Sequence, residues 1–224
     1  MSSAERKYAG DSAATRIQRR RLALIDVALT AMAENRWRTA TVDNLCREAK
    51  LNKRYFYESF DSLERVADAV IESIATEVGA AAVNGYFPLL AQPVEEQARG
   101  AIAAVVDVFG ADPRKALVLL GGAPATPMAH EKRTALIADL TTALIAHART
   151  THDVSLERDS LASTAPAFVI GGTAQAILSW ANGDLSISRE ALIDDIAALW
   201  MILEHSATAL AGSRLAAQTP EGAG

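Results

Sequence analysis

Apolar residues recur at helical spacing along almost the whole chain, and no run shows the sustained alternation that is typical of a strand. This pattern predicts an all-α protein of about nine helices. The first long helix is predicted over about residues 14–34, and its apolar face is formed by Leu22, Ile25, Leu29 and Met32.

Capping residues indicate where the next helices begin. Thr41 and Asn52 each precede a short apolar-periodic stretch, and both residue types accept hydrogen bonds from the first free amides of a helix. The run 61–64, Asp-Ser-Leu-Glu, has the form of a capping box ahead of a longer helix. The first 80 residues therefore predict four helices, and a very tight turn separates the two short ones.

The rest of the chain shows the same helical spacing. Gly183 is suited to a left-handed helix end and Ser188 to the start of the last helix. Residues 1–12 and 213–224 are small and polar, and we expect both to be disordered tails. Further helices are predicted over about residues 95–109, 113–120, 128–150, 156–182 and 188–211.

The segment 41–60 forms a unit of its own. Its spacing lets two short helices cross and leaves the polar face of the second outward, which is the helix-turn-helix arrangement. Together with the preceding long helix and the run 61–64, it resembles the N-terminal DNA-binding domain of the TetR family. Its apolar residues predict one shared core: Val42, Leu45, Ala49, Leu51, Phe56 and Phe60.

The resemblance extends coarsely to the whole chain and implies two domains. A three-helix DNA-binding domain is expected over residues 13–60. A helical ligand-binding and dimerisation domain is expected over 61–212, with 61–79 as the connecting helix. The chain departs from the usual family residues at several positions around the turn, and the family's common glycine is replaced by a lysine that must adopt a left-handed conformation. The departures are Lys50, Arg54, Glu58, Ser59 and Leu63.

Side chains around the turn are candidates for DNA binding. Arg54, in the first turn of the second short helix, has the geometry for a bidentate contact to guanine. Tyr55 is a candidate for base edges or a thymine methyl, and the threonines, Tyr57 and the flanking cations for phosphates. Each residue alone is also compatible with an ordinary exposed surface. The predicted set is Thr39, Thr41, Arg47, Lys50, Asn52, Lys53, Arg54, Tyr55 and Tyr57.

Four arginines lead into the first helix, at Arg16, Arg19, Arg20 and Arg21. They are candidates for a flexible arm that reaches phosphates or the minor groove, and equally for a solubilising helix start. The distribution of charge along the chain favours an anionic partner for the N-terminal segment. The whole chain carries −5, but residues 1–60 hold 12 Lys and Arg against 7 Asp and Glu, a net +5 on an otherwise acidic protein.

Family resemblance also implies an effector pocket and a two-fold dimer in the C-terminal helices. Few aromatic residues, and few charges expected at buried positions, favour a neutral or lipophilic ligand. Plain core packing is the alternative for every pocket residue: Phe109, Leu117, Leu120, Thr126, Met128, Ile137, His147, Phe168, Gln175 and Trp180. The last two helices are apolar on more than one face, so either a partner subunit or an intramolecular core covers Ile177, Leu192, Ile196, Leu199, Trp200 and Leu203.

Other chemistry has no support in the sequence. The histidines lack metal-ligand spacing and no catalytic or nucleotide-binding motif is present, so we expect no metal, no cofactor and no enzyme activity. Cys46 is expected to be a small core residue rather than a redox sensor. The uncharged stretch 160–183 is interpreted as a packed soluble helix rather than a membrane span, and with no secretory signal visible we expect a cytoplasmic protein.

These observations predict a ligand-responsive transcriptional regulator, most simply a repressor. It would bind a palindromic operator in double-stranded DNA as a homodimer and leave it when a small molecule binds. The alternative is a ligand-binding or protein-interaction module of the same fold that has lost specific DNA binding. Glu58 and Leu63 are the residues that favour this alternative.

Overall fold

A computed structural model describes residues 13–122, 126–151 and 154–218. These residues form α-helices, short 3-10 turns and connecting loops, with no strand among them, which confirms the all-α prediction. The helices are α1 (Ala13–Ala33), α2 (Val42–Glu48), α3 (Lys53–Tyr57), α4 (Leu63–Tyr86), α5 (Val94–Ala111), α6 (Pro113–Leu119), α7 (Pro127–Thr151), α8 (Leu161–Ala181) and α9 (Arg189–Gln218).

The chain divides into two compact units, Met1–Val70 and Ile71–Gly224. The division falls inside α4 rather than at the predicted boundary of residue 60. The first turns of α4 place Val66, Ala67 and Val70 at 0% exposure, so they belong to a core and not to a loop between domains. A single helix therefore contributes residues to both units.

The core of the first unit forms where α1, α2 and α3 pack together. Most of its members are large apolar side chains with little or no exposure, and burying each leucine, methionine or phenylalanine contributes about 1.5–3 kcal/mol. Phe56 of α3 is fully covered and its ring lies 6.3 Å from that of Phe60. The buried set is Leu24, Ala28, Leu29, Met32, Leu45, Cys46, Phe56 and Phe60.

Helix starts in this unit follow the predicted capping residues in two cases and shift in a third. The Thr41 side chain accepts from the Asn44 amide at 3.2 Å, and the Asn52 side chain from the Tyr55 amide at 3.1 Å. At α4, however, the cap is Ser62, whose hydroxyl accepts from Arg65 N at 3.3 Å. The N-cap is therefore one residue later than predicted, and because Arg65 stands at the third helical position the expected capping box over 61–64 does not form.

The second unit is a helical bundle in which α9 packs against both α5 and α8. Its core contains apolar side chains that are at most 4% exposed, among them Ile102, Val106, Phe109, Ile177, Leu192, Ile193 and Ile196. Gly183 has φ +83°. Asp184 N donates to Ser179 O and Gly183 N to Trp180 O, which confirms the left-handed end of α8.

The last helix is longer than predicted. We expected a disordered tail from residue 213, but α9 continues to Gln218. Ala211 is only 3% exposed, and Arg214 pairs with the buried Asp159 at 3.4 Å, so this end of α9 is fixed to the bundle. The predicted tail 1–12 and the last part of the predicted tail 213–224, residues 219–224, lie outside the described residues.

Within the described residues, α8 is the one helix long and apolar enough to cross a membrane by length and composition. It contains Pro166 and packs against α7 and α9. Core helices of helical bundles meet the same criteria, so the composition of α8 does not indicate a membrane protein. Its start also differs from the predicted residue 156, because the Asp159 carboxylate caps Leu161 N at 2.9 Å.

Candidate nucleic-acid interface and ligand cavity

The turn between α2 and α3 places Lys50 in the left-handed region with φ +55°. Leu51 N donates to Cys46 O at 2.8 Å and Lys50 N to Arg47 O at 3.2 Å, the hydrogen-bond pair of a Schellman helix end. The predicted left-handed lysine is confirmed. This end fixes the tight turn and thereby sets the direction in which α3 leaves α2.

Helix α3 has one buried and one exposed side. Phe56 anchors it to the core, whereas Tyr57 is 59% exposed and the Arg54 side chain 84% exposed. Lys53 and Arg54 occupy its first turn, directly after the Asn52 cap. Most of the predicted DNA-binding set is exposed around α2 and α3: Thr39, Thr41, Arg47, Lys50, Asn52, Lys53, Arg54 and Tyr57.

Both cations in the first turn of α3 have carboxylate partners. Lys53 Nζ lies 2.6 Å from Asp43 Oδ1, and this hydrogen bond raises the pKa of Lys53. Arg54 Nε lies 3.0 Å from Glu58 Oε1, one helical turn away. Both ion pairs are exposed to solvent and therefore weak, so a phosphate can replace the carboxylates.

The arginines of α1 do not form a flexible arm, because α1 begins at Ala13 and Arg16, Arg19, Arg20 and Arg21 are all helical. The Arg20 guanidinium lies over the Tyr55 ring, 3.5 Å from its centroid, and 3.2 Å from Glu58. The next arginine, Arg21, lies 4.2 Å from the Phe60 ring centroid and donates to Ser59 O.

Tyr55 is consequently half-buried, unlike the rest of the predicted set. Its ring packs under Arg20, which limits how far it reaches toward a base edge. Sequence reasoning missed this packing role and the double role of Glu58, which pairs with both Arg20 and Arg54. Thr39 and Thr41 also have internal partners, since Thr39 donates to Arg36 O and Thr41 caps α2.

A cavity of about 680 Å³ lies within the second unit. Of the predicted pocket residues, Phe109, Leu120, Ile137 and His147 line it. The others lie outside its lining: Leu117, Thr126, Met128, Phe168, Gln175 and Trp180. Three of these have other surroundings. Phe168 is 67% exposed, Thr126 caps Ala129 N at 3.0 Å, and the Trp180 indole donates to Ile187 O at 3.1 Å.

Polar groups are few in the cavity wall. Tyr86 Oη and His147 Nδ1 are 2.8 Å apart, and the Trp200 indole donates to Thr173 Oγ1 at 2.7 Å. Gln97, which is 7% exposed, is a further polar position. The lining also contains Arg149, Glu157, Glu204 and Thr208. Sequence reasoning missed Tyr86 and Gln97, because a helical pattern does not show which covered positions border a void.

An apolar face without an intramolecular cover runs along α8 and α9. Phe168, Leu199, Ile202 and Leu210 are 67%, 56%, 59% and 46% exposed. Gly171 and Gly172 on α8 have open space where a Cβ would be, so another backbone can approach closely there.

The predicted dimer residues divide between this face and the interior. Leu199 is on the face and Leu203 is half-buried. Ile177, Leu192 and Ile196 are instead at most 4% exposed inside the chain's own core, and Trp200 lines the cavity. Residues of one continuous apolar stripe on a helix thus lie partly in the protein core and partly on the exposed face.

Within the described ranges, no cluster of His, Cys, Asp and Glu has the arrangement of a metal site. Cys46 is buried, and burial raises the pKa of its thiol. Desolvation of this kind disfavours the thiolate, the reactive form. One of the four histidines, His152, lies outside the described residues.

Comparisons with known proteins give a structural likeness only. No protein-family model matches the sequence, and no curated protein matches it significantly. A TetR-family transcriptional regulator from Streptomyces coelicolor has a TM-score of 0.69 at 16% identity, over 91% of each chain. The all-α fold of this chain is therefore the fold of TetR-family regulators.

Two further solved structures are regulators named FadR. The fatty acid degradation regulator FadR from Bacillus halodurans has a TM-score of 0.65 at 17% identity, covering 81% of this chain and 94% of that one. FadR from Bacillus subtilis, solved with stearoyl-CoA, has a TM-score of 0.62 at 16% identity, covering 80% and 96%. The structural neighbours are thus transcriptional regulators rather than enzymes.

Proposed function

We propose that the protein is a ligand-responsive transcriptional repressor of the TetR type, acting in the cytoplasm without enzyme activity. The observation that carries the proposal is the helix-turn-helix, in which α3 is anchored by Phe56 and presents Lys53, Arg54 and Tyr57 to solvent. A helix held in this way enters the major groove while the flanking side chains contact phosphates.

Two copies form the DNA-binding unit in this proposal. The exposed face of α8 and α9 defined by Phe168, Leu199, Ile202 and Leu210 pairs with the same face of a second copy. A two-fold axis then places two α3 helices in successive major grooves, about 34–36 Å apart, which requires a palindromic operator.

The cavity is the effector site in this proposal. Its volume of about 680 Å³ is in the range of small-molecule pockets. A ligand that favours a different spacing of the two α3 helices would release the operator through its differential affinity for the two states. The structural neighbour from Bacillus subtilis was solved with stearoyl-CoA, and the long acyl chain of that molecule matches the mainly apolar lining of this cavity, whereas its anionic CoA part does not.

Salt dependence of duplex binding tests the proposal without knowledge of the operator. Lysine and arginine contacts to phosphates release counterions, so a labelled duplex should lose affinity steeply as salt is raised. Wild-type protein should show this slope, and Arg47→Ala should reduce it by about one. Weak, salt-independent binding by the wild type would contradict DNA recognition.

A second candidate function is a ligand-binding or interaction module that no longer recognises DNA. The ion pairs of Lys53 with Asp43 and of Arg54 with Glu58 favour it, because they compensate the cations at the start of α3. A protein that binds a small molecule but fails the duplex titration would be this module.

A further inference from the structure

Gln97 has an unusual hydrogen-bonding state for a buried side chain. It is 7% exposed, lies in α5 and lines the cavity. Among the residues that the structure describes, its Oε1 is the one buried side-chain nitrogen or oxygen without a hydrogen-bond partner. An unsatisfied buried acceptor costs about 1–3 kcal/mol, so such an atom indicates a missing donor.

The orientation of the Gln97 amide is fixed by its surroundings. Nε2 donates to Leu90 O at 3.2 Å and to Gln92 O at 2.8 Å, which uses both of its hydrogens. A flipped amide would place Oε1 against two carbonyl oxygens, which cannot donate. The group left for a ligand is therefore an acceptor, and it requires a ligand with an O–H or N–H.

The charges of the cavity lining act against an anionic ligand. Its one arginine, Arg149, is held by Glu157 through contacts of 2.6 and 3.1 Å. Glu204 adds a second carboxylate to the lining. A carboxylate or phosphate that entered this apolar cavity would lose its hydration without gaining an uncompensated cation, which is strongly unfavourable.

We propose that the cavity binds an uncharged, mainly apolar molecule with a hydroxyl or amide N–H, and that Gln97 Oε1 accepts this hydrogen. The inference rests on the proposed effector role of the cavity and narrows the class of ligand. Oε1 is covered in this structure, so the proposal requires a local side-chain movement that brings Oε1 into contact with the ligand.

A matched series of ligands tests the proposal on the wild-type chain. Dodecanol donates a hydrogen bond, methyl undecyl ether has the same number of heavy atoms but only accepts, and dodecanoate is anionic. Each is titrated against bound phenylnaphthylamine, an uncharged fluorescent probe. Dodecanol should bind about fivefold more tightly than the ether, and dodecanoate at least about tenfold more weakly than dodecanol.

Three outcomes would overturn the proposal. Equal affinity of the alcohol and the ether would show that the ligand needs no hydrogen-bond donor. Dodecanoate binding as tightly as dodecanol would show that the ligand need not be uncharged. If the probe does not bind, or if none of the three molecules displaces it, the cavity does not bind mainly apolar molecules of this kind.

Substitution of Gln97 assigns the preference to its side chain. Gln97→Leu should lower dodecanol affinity to that of the ether and leave ether binding unchanged. Gln18→Leu, at an exposed glutamine of α1, is the matched control and should keep the preference. If Gln97→Leu fails to fold, because it loses two bonds to the backbone, the wild-type series decides.

These results are separable from those on DNA binding. Duplex affinity is measured without ligand, so it does not depend on the outcome of the ligand series. If only the ligand series fails, only the proposed ligand class is contradicted. If the duplex titration fails but the alcohol preference is present, the proposed regulator function falls and the ligand class stands.

Discussion

The guanidinium of Arg20 lies 3.5 Å from the centroid of the Tyr55 ring, joining α1 to α3. The same guanidinium is 3.2 Å from Glu58, so one side chain supports α3 by stacking and by charge. Such a cation–π contact contributes about 0.5–1 kcal/mol at an exposed position. Arg20 therefore holds α3 in place rather than reaching for DNA as a mobile arm.

Removal of this contact should loosen α3. Arg20→Ala is expected to increase amide hydrogen exchange in α3 and to lower duplex affinity, because the helix loses its support. Arg19→Ala removes the neighbouring charge of α1 and serves as the control. Equal effects of the two variants would show that only charge matters at this end of α1.

Replacing Lys50 by glycine should increase the stability of the protein and weaken its binding to DNA. Its φ of +55° is unfavourable for a side chain, so Lys50→Gly is expected to raise the free energy of unfolding by about 1 kcal/mol. The lost cation should reduce the salt slope of duplex binding by about one. Denaturant titration and duplex titration measure the two effects.

Asn35 offers a matched comparison, since its φ is +57° and it carries no charge. Asn35→Gly should leave the salt slope unchanged. A change in slope equal to that of Lys50→Gly would mean that the lysine does not contact phosphate.

Glu58 should restrain DNA binding by occupying Arg54, the exposed arginine in the first turn of α3. Glu58→Gln removes the competing carboxylate and is expected to raise affinity for a random duplex about threefold, consistent with the strength of exposed ion pairs. Glu34→Gln, which affects the exposed pair with Arg36, is the control. Unchanged or weaker binding by Glu58→Gln would contradict the competition.

Dimer formation through α8 and α9 should depend on Leu199, which is 56% exposed. Leu199→Glu buries an unpaired charge in the proposed interface and should convert dimers to monomers in sedimentation experiments. Leu22→Glu, at a leucine of α1 that is 53% exposed, should leave the assembly intact. Dimers that persist in Leu199→Glu would place the interface elsewhere.

Local features of this fold were predictable from the sequence, because neighbouring residues determine them. The caps at Thr41 and Asn52 and the left-handed Lys50 are of this kind. The N-cap of α4 lies one residue later than predicted because adjacent Asp61 and Ser62 both suit an N-terminus, and Ser62 occupies it.

Features that depend on distant residues were not predictable. Arg20 and Tyr55 are far apart in sequence, and nothing in a row of arginines shows that one stacks on an aromatic ring. On α9, Leu192 and Leu199 share one apolar stripe, yet the first is 1% exposed and the second 56%. Periodicity shows that a face is apolar but not what covers it.

Selection of DNA from a random library with the purified wild-type chain tests the central claim most directly. We expect enrichment of an inverted repeat whose half-sites are about one helical turn apart. With Arg54→Ala, discrimination at one position of each half-site should fall by about 1–3 kcal/mol. Recovery of no common sequence, or of the same sequence at equal stringency with Arg54→Ala, would contradict the account.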